Sequence, residues 1–271
     1  SDRDGTVNNY CARYQTSVQS LYNAFALARF AEACCEDAVV LTSAPLQDTG
    51  ILDISLNPPE SITFAASKGR EFVDRSGKRH QTPLDRTRTE LIERVLAELQ
   101  QLVAQPEYAV FALIGSGLQK KFGQLTIARQ DSGGSVPAER SQAFLQLVTE
   151  LVHRHDAQGE YLRIEDTGKD IEIIATHPGS VGEYGFDKRD GVRFVAGELG
   201  ITTGPLLACG DTASDIALAH GVRELDPQAE VIFVTTDDTL RARVRSELPG
   251  AHFVPTPDAL IATFATLAPT A

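Results

Sequence analysis

The hydrophobic rhythm of this chain changes near residue 80 and changes back near residue 178, and that double break limits its architecture more than anything else in the sequence. Before the break, Val18, Leu21, Tyr22, Phe25 and Phe30 recur at helical spacing within 15–34, and the short apolar runs Ala38–Leu41 and Ile62–Ala66 read as strands. Glu71–Lys78 reads as the tip of a hairpin. Between the breaks, Leu91, Ile92, Val95, Leu99, Leu102 and Val103 mark a long amphipathic helix, and Tyr108–Ile114 and Phe122–Arg129 are expected as alternating strands. Pro137 opens a helix carrying Phe144, Leu147, Val148 and Leu151, and Tyr161–Ile164 and Asp170–Ile174 flank the turn Asp166-Thr167-Gly168-Lys169. Alternating strand and helix builds a parallel doubly wound sheet, whereas hairpins separated by helices build an open sheet with helices on one face. The expected fold is therefore α/β, a doubly wound Rossmann-like parallel sheet core (1–79 and 179–271) with an inserted α+β domain of order α-β-β-α-β-β (80–178).

A chain of 271 residues can bury two such cores. No apolar run approaches the roughly 18 to 20 residues that span a bilayer, and the first residues do not resemble a signal peptide, so a cytoplasmic location with no membrane partner is expected. Cys11, Cys34, Cys35 and Cys209 have no Cys-x-x-Cys spacing and read as reduced structural thiols. A formal net charge of -12 argues against a nucleic-acid partner. It leaves a phosphorylated small molecule open, because a bound divalent cation and a few local Lys or Arg residues govern such a site. The chain contains no Met and starts one residue before Asp2, without the strand expected to feed it, so further natural residues are expected ahead of Ser1.

The chemistry is written at four points. In Asp2-Arg3-Asp4-Gly5-Thr6 the two carboxylates share a face of an extended segment and Gly5 permits a sharp turn behind them, so one can attack while the other handles protons. The run Ala38–Leu41 delivers Thr42 and Ser43, Asp187-Lys188 opens an apolar-periodic stretch, and Leu206–Cys209 leads into Gly210-Asp211-Thr212-Ala213-Ser214-Asp215. In this order the four points resemble the motifs of the haloacid dehalogenase superfamily of phosphohydrolases. A large insertion between the second and third motifs is similar to that of the trehalose-phosphate, sucrose-phosphate and mannosylglycerate-phosphate phosphatases and the phosphomannomutases, where it serves as a cap.

That resemblance implies Asp2 as nucleophile, Asp4 as acid and base for the leaving oxygen and the attacking water, and Lys188 as the charge that steadies nucleophile and phosphate. It implies Mg2+ held by Asp2, the main-chain carbonyl of Asp4 and Asp211, with Asp215 acting through water or by holding Asp211. Thr42 and Ser43 compete for the phosphate-binding hydroxyl; the family's strand followed by Thr-Gly or Ser-Gly favours Ser43, although Ala44-Pro45 stands where Gly-Arg is common. In the cap, Lys169 and Glu172 resemble residues that bind sugar hydroxyls, while Lys120, Lys121, Lys68 and Arg70 read as surface charge. The implied function is a magnesium-dependent phosphomonoesterase acting on a sugar or glycoside phosphate through an aspartyl-phosphate, in making a compatible solute such as trehalose or a glucosyl- or mannosyl-glycerol derivative. Fusion to or association with a glycosyltransferase is a further expectation. Two alternatives are a phosphosugar mutase using the same intermediate and a non-catalytic regulatory domain of a bifunctional synthase-phosphatase; the presence of Asp2, Asp4, Lys188 and Asp211 together speaks against the second.

Overall fold

A computed structural model describes residues 1–11, 13–48, 50–58, 60–176 and 186–268, which form two compact units. The first comprises Ser1–Tyr10, Ser17–Thr82 and Asp187–Ala271. Helix α1 (Leu21–Cys34) begins where Ser20 accepts a hydrogen bond from the Asn23 amide. Six residues of the helix expected from 15 therefore lie outside it, and the buried face is not the one the large apolar residues mark. Ala24, Leu27, Ala28 and Ala31 are buried, while Val18, Leu21, Tyr22 and Phe25 are exposed. Small side chains let α1 pack closely on the last helix, with Phe30 stacked on Phe264 at 4.3 Å.

Strand β1 (Val39–Leu41) is followed by a short helix α2 (Ile51–Ile54) and by β2 (Thr63–Ala66), which pairs parallel with β1. Strands β3 (Glu71–Val73) and β4 (Arg79–Gln81) continue the sheet antiparallel.

The second unit comprises Cys11–Thr16 and Pro83–Phe186. It contains α3 (Arg86–Val103), α4 (Ala109–Leu113), β5 (Leu118–Lys121), β6 (Gln124–Ala128), α5 (Ala138–His155), β7 (Leu162–Asp166) and β8 (Asp170–Ala175). Its sheet has the order β5-β6-β8-β7, antiparallel throughout. Leu125, Ile127, Ile171 and Ile173 share one face and pack with Leu91, Val95 and Leu99 of α3 and Phe144, Val148 and Leu151 of α5. The other face carries Thr126 opposite Glu172 and is largely polar, although the buried Ile174 also lies on it, opposite Gln124.

The stretch Tyr108–Ile114, expected as a strand, is the helix α4. Its amides turn back on Gln105 and Tyr108, and only Phe111 is buried, stacked on Phe144 at 3.6 Å, so one inward residue does the work that alternation would do in a strand. The strand that pairs with β6 is instead Leu118–Lys121, whose Gln119, Lys120 and Lys121 carry no apolar alternation.

The chain then returns to the first unit through α6 (Lys188–Leu199), β9 (Leu207–Gly210), α7 (Ser214–Leu225), β10 (Glu230–Val234), α8 (Asp238–Glu247), β11 (His252–Val254) and α9 (Pro257–Leu267). Strands β11, β10 and β9 pair parallel in that order. Ser1 and Asp2 lie between β9 and β1: the Ser1 amino group donates to the Val39 carbonyl at 2.9 Å, the Leu41 amide to the Ser1 carbonyl at 2.7 Å, and the Asp2 amide to the Cys209 carbonyl at 2.9 Å. This segment thus joins the two sheets of the unit and sets Asp2 at the carboxyl ends of parallel strands, the edge where open α/β sheets bind ligands. Among the described residues no helix is long and apolar enough to cross a membrane.

Candidate active site

Each polar residue of the first unit's motifs sits where a strand ends or a helix begins. Thr42 and Ser43 leave β1, Asp211 leaves β9, Asp215 lies in the first turn of α7, and Lys188 is the first residue of α6, held by the Asp187 carboxylate capping the Arg189 and Asp190 amides. Two close approaches make this packing possible. Gly191 of α6 crosses Gly69 so tightly that a Cβ on Gly191 would lie 2.0 Å from the Lys68 carbonyl oxygen, and a Cβ on Gly210 would lie 2.2 Å from that of Asp215.

The Lys188 ammonium is buried and donates to Asp2 Oδ1 at 2.7 Å and to Asp215 Oδ1 at 2.5 Å. Asp215 Oδ2 accepts from the amides of Asp211 and Thr212 at 3.1 and 2.9 Å and from the Thr212 hydroxyl at 2.8 Å. Asp211 accepts from the Thr6 hydroxyl at 2.9 Å and the Tyr10 hydroxyl at 2.8 Å, one on each oxygen. Carboxylate oxygens of Asp2, Asp211 and Asp215 lie within 4.8 Å of one another. Three buried carboxylates with one ammonium leave the cluster short of positive charge.

The electrostatics record that shortage. Burial, reinforced by Asp215 and Asp4 and opposed by Lys188, pushes the Asp2 carboxyl up to about 6. Burial, together with the neighbouring Asp2 and Asp215, pushes Asp211 up to about 8, against the hydrogen bonds from Tyr10 and Thr6. Burial also acts to raise Asp215, but the Lys188 charge and the amides of Thr212 and Asp211 outweigh it and hold that carboxyl below its ordinary range. For Lys188 burial acts to lower the pKa, and the Asp2 and Asp215 carboxylates override it. A pocket of oxygen ligands with surplus negative charge has the donor set of a hard divalent cation.

Gly5 closes the loop over this cluster. It has φ +89°, and a Cβ there would meet Asp211 Oδ2 at 2.1 Å. Gly5→Ala is therefore expected to lose about 1–3 kcal/mol of stability from the forced backbone alone and to displace Asp211, which urea unfolding of the variant would measure.

The remaining sequence-predicted residues are placed as follows. Thr42 is buried, and its hydroxyl accepts from the Ala44 amide at 3.2 Å; Ser43, next along the chain, is half-buried. The Asp4 carboxylate does not join the acidic cluster but turns to Arg3, Ser17 and Asn8. In the second unit, Glu172 lies on the polar face of the sheet, paired in register with Thr126 and Glu165, while Lys169 lies in the exposed turn before β8, its carbonyl accepting from the Arg129 and Gln130 amides. Lys121 and Arg70, expected as surface charge, are both buried. Nothing in the sequence marks Tyr10 as a partner of Asp211, and Thr6 is marked only by its place in the Gly-Thr turn.

Acidic groups gathered from separate strand ends onto one buried lysine, in a doubly wound unit whose sequence is interrupted by an α+β unit, define a haloacid dehalogenase-type chain. Solved structures share that fold: a trehalose-6-phosphate phosphatase related protein aligns with a TM-score of 0.67 at 15% identity, covering 98% of this chain and 95% of that one. A phosphatase of the haloalkanoate superfamily from Bacteroides thetaiotaomicron aligns at 0.52 and 15% identity, covering 98% and 92%. More narrowly, the chain belongs to the family of the trehalose-6-phosphate phosphatase C-terminal domain, whose model matches residues 1–260.

Relatives include an alpha,alpha-trehalose-phosphate synthase (UDP-forming) of Aphelenchoides avenae, 35% identical over 250 residues, 90% of this chain and 21% of that protein. The trehalose-phosphatase of Brugia malayi is 33% identical over 271 residues, 96% of this chain and 54% of that protein. The chain thus spans a fifth of the synthase and just over half of the phosphatase.

Proposed function

We propose that the chain hydrolyses the phosphomonoester of a sugar, with trehalose 6-phosphate the foremost candidate, through an aspartyl-phosphate on Asp2 and with Mg2+ as cofactor. The observation that carries this is the buried contact of Lys188 with Asp2 and Asp215 inside a cluster of carboxylates 4.8 Å or less apart. Phosphate monoesters hydrolyse very slowly without help, so the site must supply a nucleophile, a proton for the departing alcohol and charge against the phosphoryl oxygens. Asp2 supplies an oxygen whose neighbour atom is fixed by Lys188. As the Asp2 oxygen bonds to phosphorus, the ester P–O bond breaks and Asp4 gives its proton to the sugar oxygen. Asp4 then takes a proton from water attacking the phosphorus, phosphate leaves, and the Asp2 carboxylate returns.

Lys188, with the hydroxyl at the end of β1, is placed to hold the phosphoryl group. The engagement of Thr42 with the Ala44 amide favours Ser43 for that hydroxyl. Asp2, the main-chain carbonyl of Asp4 and Asp211 would hold the cation, and Asp215 would steady both Asp211 and Lys188. A bound Mg2+ would supply the charge compensation that these carboxylates lack.

Glu172 on the polar face of the second unit, with Lys169, is our candidate for contacts to sugar hydroxyls. The match to part of proteins named synthase also leads us to propose a glycosyltransferase as fused or associated partner, in the cytoplasm.

A panel of sugar phosphates assayed for released phosphate tests the function. Trehalose 6-phosphate is expected to be turned over in Mg2+, and EDTA is expected to lower the rate at least about 100-fold, reversed by excess Mg2+. Undiminished turnover in EDTA, or no release from any sugar phosphate, would contradict the proposal.

A further inference from the structure

Arg3 separates the two carboxylates of the first motif, and its guanidinium is 1% exposed. Burying a guanidinium is costly unless its donors are used. Its Nη1 donates to Asp4 Oδ1 at 2.5 Å and to Ser17 Oγ at 3.0 Å, and its Nη2 to the Ser17 carbonyl at 2.6 Å and the Ile54 carbonyl at 3.4 Å. Ser17 Oγ in turn donates to Asp4 Oδ1 at 2.6 Å, and Asn8 Nδ2 reaches the same oxygen and Ser17 Oγ, each at 3.4 Å. Every hydrogen bond to Asp4 among the described residues falls on Oδ1.

We infer that Arg3, Ser17 and Asn8 are positioning residues that grip Asp4 by Oδ1 and so reserve Oδ2 for proton exchange with the leaving sugar oxygen and the attacking water. A guanidinium can only donate, so Oδ1 is committed as an acceptor, and the rotation that would exchange the two oxygens is blocked. Asp4 is anchored at one end and keeps the other for chemistry, its side chain 21% exposed. Ser17 is remote in sequence from the motif, and its importance follows only from this geometry.

The inference rests on the phosphatase function proposed above and is tested by leaving-group dependence. A sugar alkoxide needs the proton from Asp4, whereas 4-nitrophenolate departs with little help, so a defect confined to Asp4 positioning weighs on the first ester more than the second. With the full chain in Mg2+, kcat/KM, which reports formation of the aspartyl-phosphate and not its hydrolysis shared by both esters, is measured on the sugar phosphate that the wild-type chain hydrolyses fastest and on 4-nitrophenyl phosphate, for wild type, Ser17→Ala, Arg3→Lys, Asp4→Asn and Ser17→Ala/Asp4→Asn.

Ser17→Ala is expected to lower the ratio of sugar-ester to aryl-ester kcat/KM by about 10-fold or more. Arg3→Lys shifts the ratio in the same direction, and Ser17→Ala adds no further shift when Asp4 is already Asn. Equal losses on both esters, or an additive effect in the double variant, would overturn the clamp and leave the phosphatase assignment standing. A wild-type chain inactive on every ester would overturn both. Melting temperatures of the variants separate these outcomes from a failure to fold, and Arg3→Lys supplies the test should Ser17→Ala unfold.

Discussion

Asp2→Asn is expected to abolish phosphate release, a fall in kcat of at least about 10³-fold, while the protein stays folded. The amide has nearly the shape of the carboxylate, so packing around it need not change. Lys188 keeps its bond to Asp215 at 2.5 Å, and the cluster loses a charge that burial already makes costly, as the elevation of Asp2 to about 6 records. The variant should therefore melt at or slightly above the wild-type temperature in the absence of Mg2+. Activity without the Asp2 carboxylate, measured as phosphate released per minute under saturating substrate, would remove the nucleophile from the account.

The second large effect lies one atom away. Lys188→Met is expected to abolish turnover and also to cost about 3–5 kcal/mol, because it strands Asp2 and Asp215 as buried charges with no cation beside them. At Asp215 the sign with pH is opposite for the two proteins. In the wild type Asp215 lies below its ordinary range, so its contribution is present above the unfolded pKa, near 3.9, and is lost as pH falls through the folded value. In the variant both carboxyls are pushed upward by burial with no ammonium to oppose it, so acidification relieves them. Urea unfolding in EDTA should show the gap between the proteins narrowing from pH 8 to pH 5, and adding Asp215→Asn to Lys188→Met should recover part of the loss. A gap that does not change with pH would mean that lost packing, not stranded charge, explains the destabilisation.

The two effects rest on residues that the sequence made visible for a reason. Asp2, Asp211, Asp215 and Lys188 stand at strand ends or helix starts, where short apolar runs or helical periodicity betray the neighbouring element and the chemistry restricts the side chain to a few types. Their spatial convergence could be anticipated from the alternation of strand and helix, and the α/β fold found is the one expected. What escaped detection is the support around them. Nothing local announces that Tyr10 reaches across to Asp211, or that Arg3 folds back on Asp4 through a serine thirteen residues further on. These are tertiary contacts between polar groups with no periodic signature.

The elements that depart from the periodicity do so for related reasons. On α1 Leu21, Tyr22 and Phe25 point outward and Ala24, Ala28 and Ala31 inward, because closeness to α9 selects small residues there. Residues 108–114 are apolar enough for either element; the strand next to them, Leu118–Lys121, lies at the edge of its sheet and is polar after Leu118, so it carries no apolar alternation. Lys121 is buried there, where composition alone suggested a solvated charge.

The central claim is that Asp2 itself becomes phosphorylated, and chemical trapping reports on it most directly. Protein mixed with Mg2+ and the sugar phosphate it turns over is quenched in acid, reduced with borohydride and digested, and the peptides are read by mass spectrometry. An acyl phosphate at Asp2 is expected to appear as homoserine at position 2, only when substrate was present and not in Lys188→Met. Homoserine at another carboxylate, or none at position 2 while phosphate is being released, would contradict it.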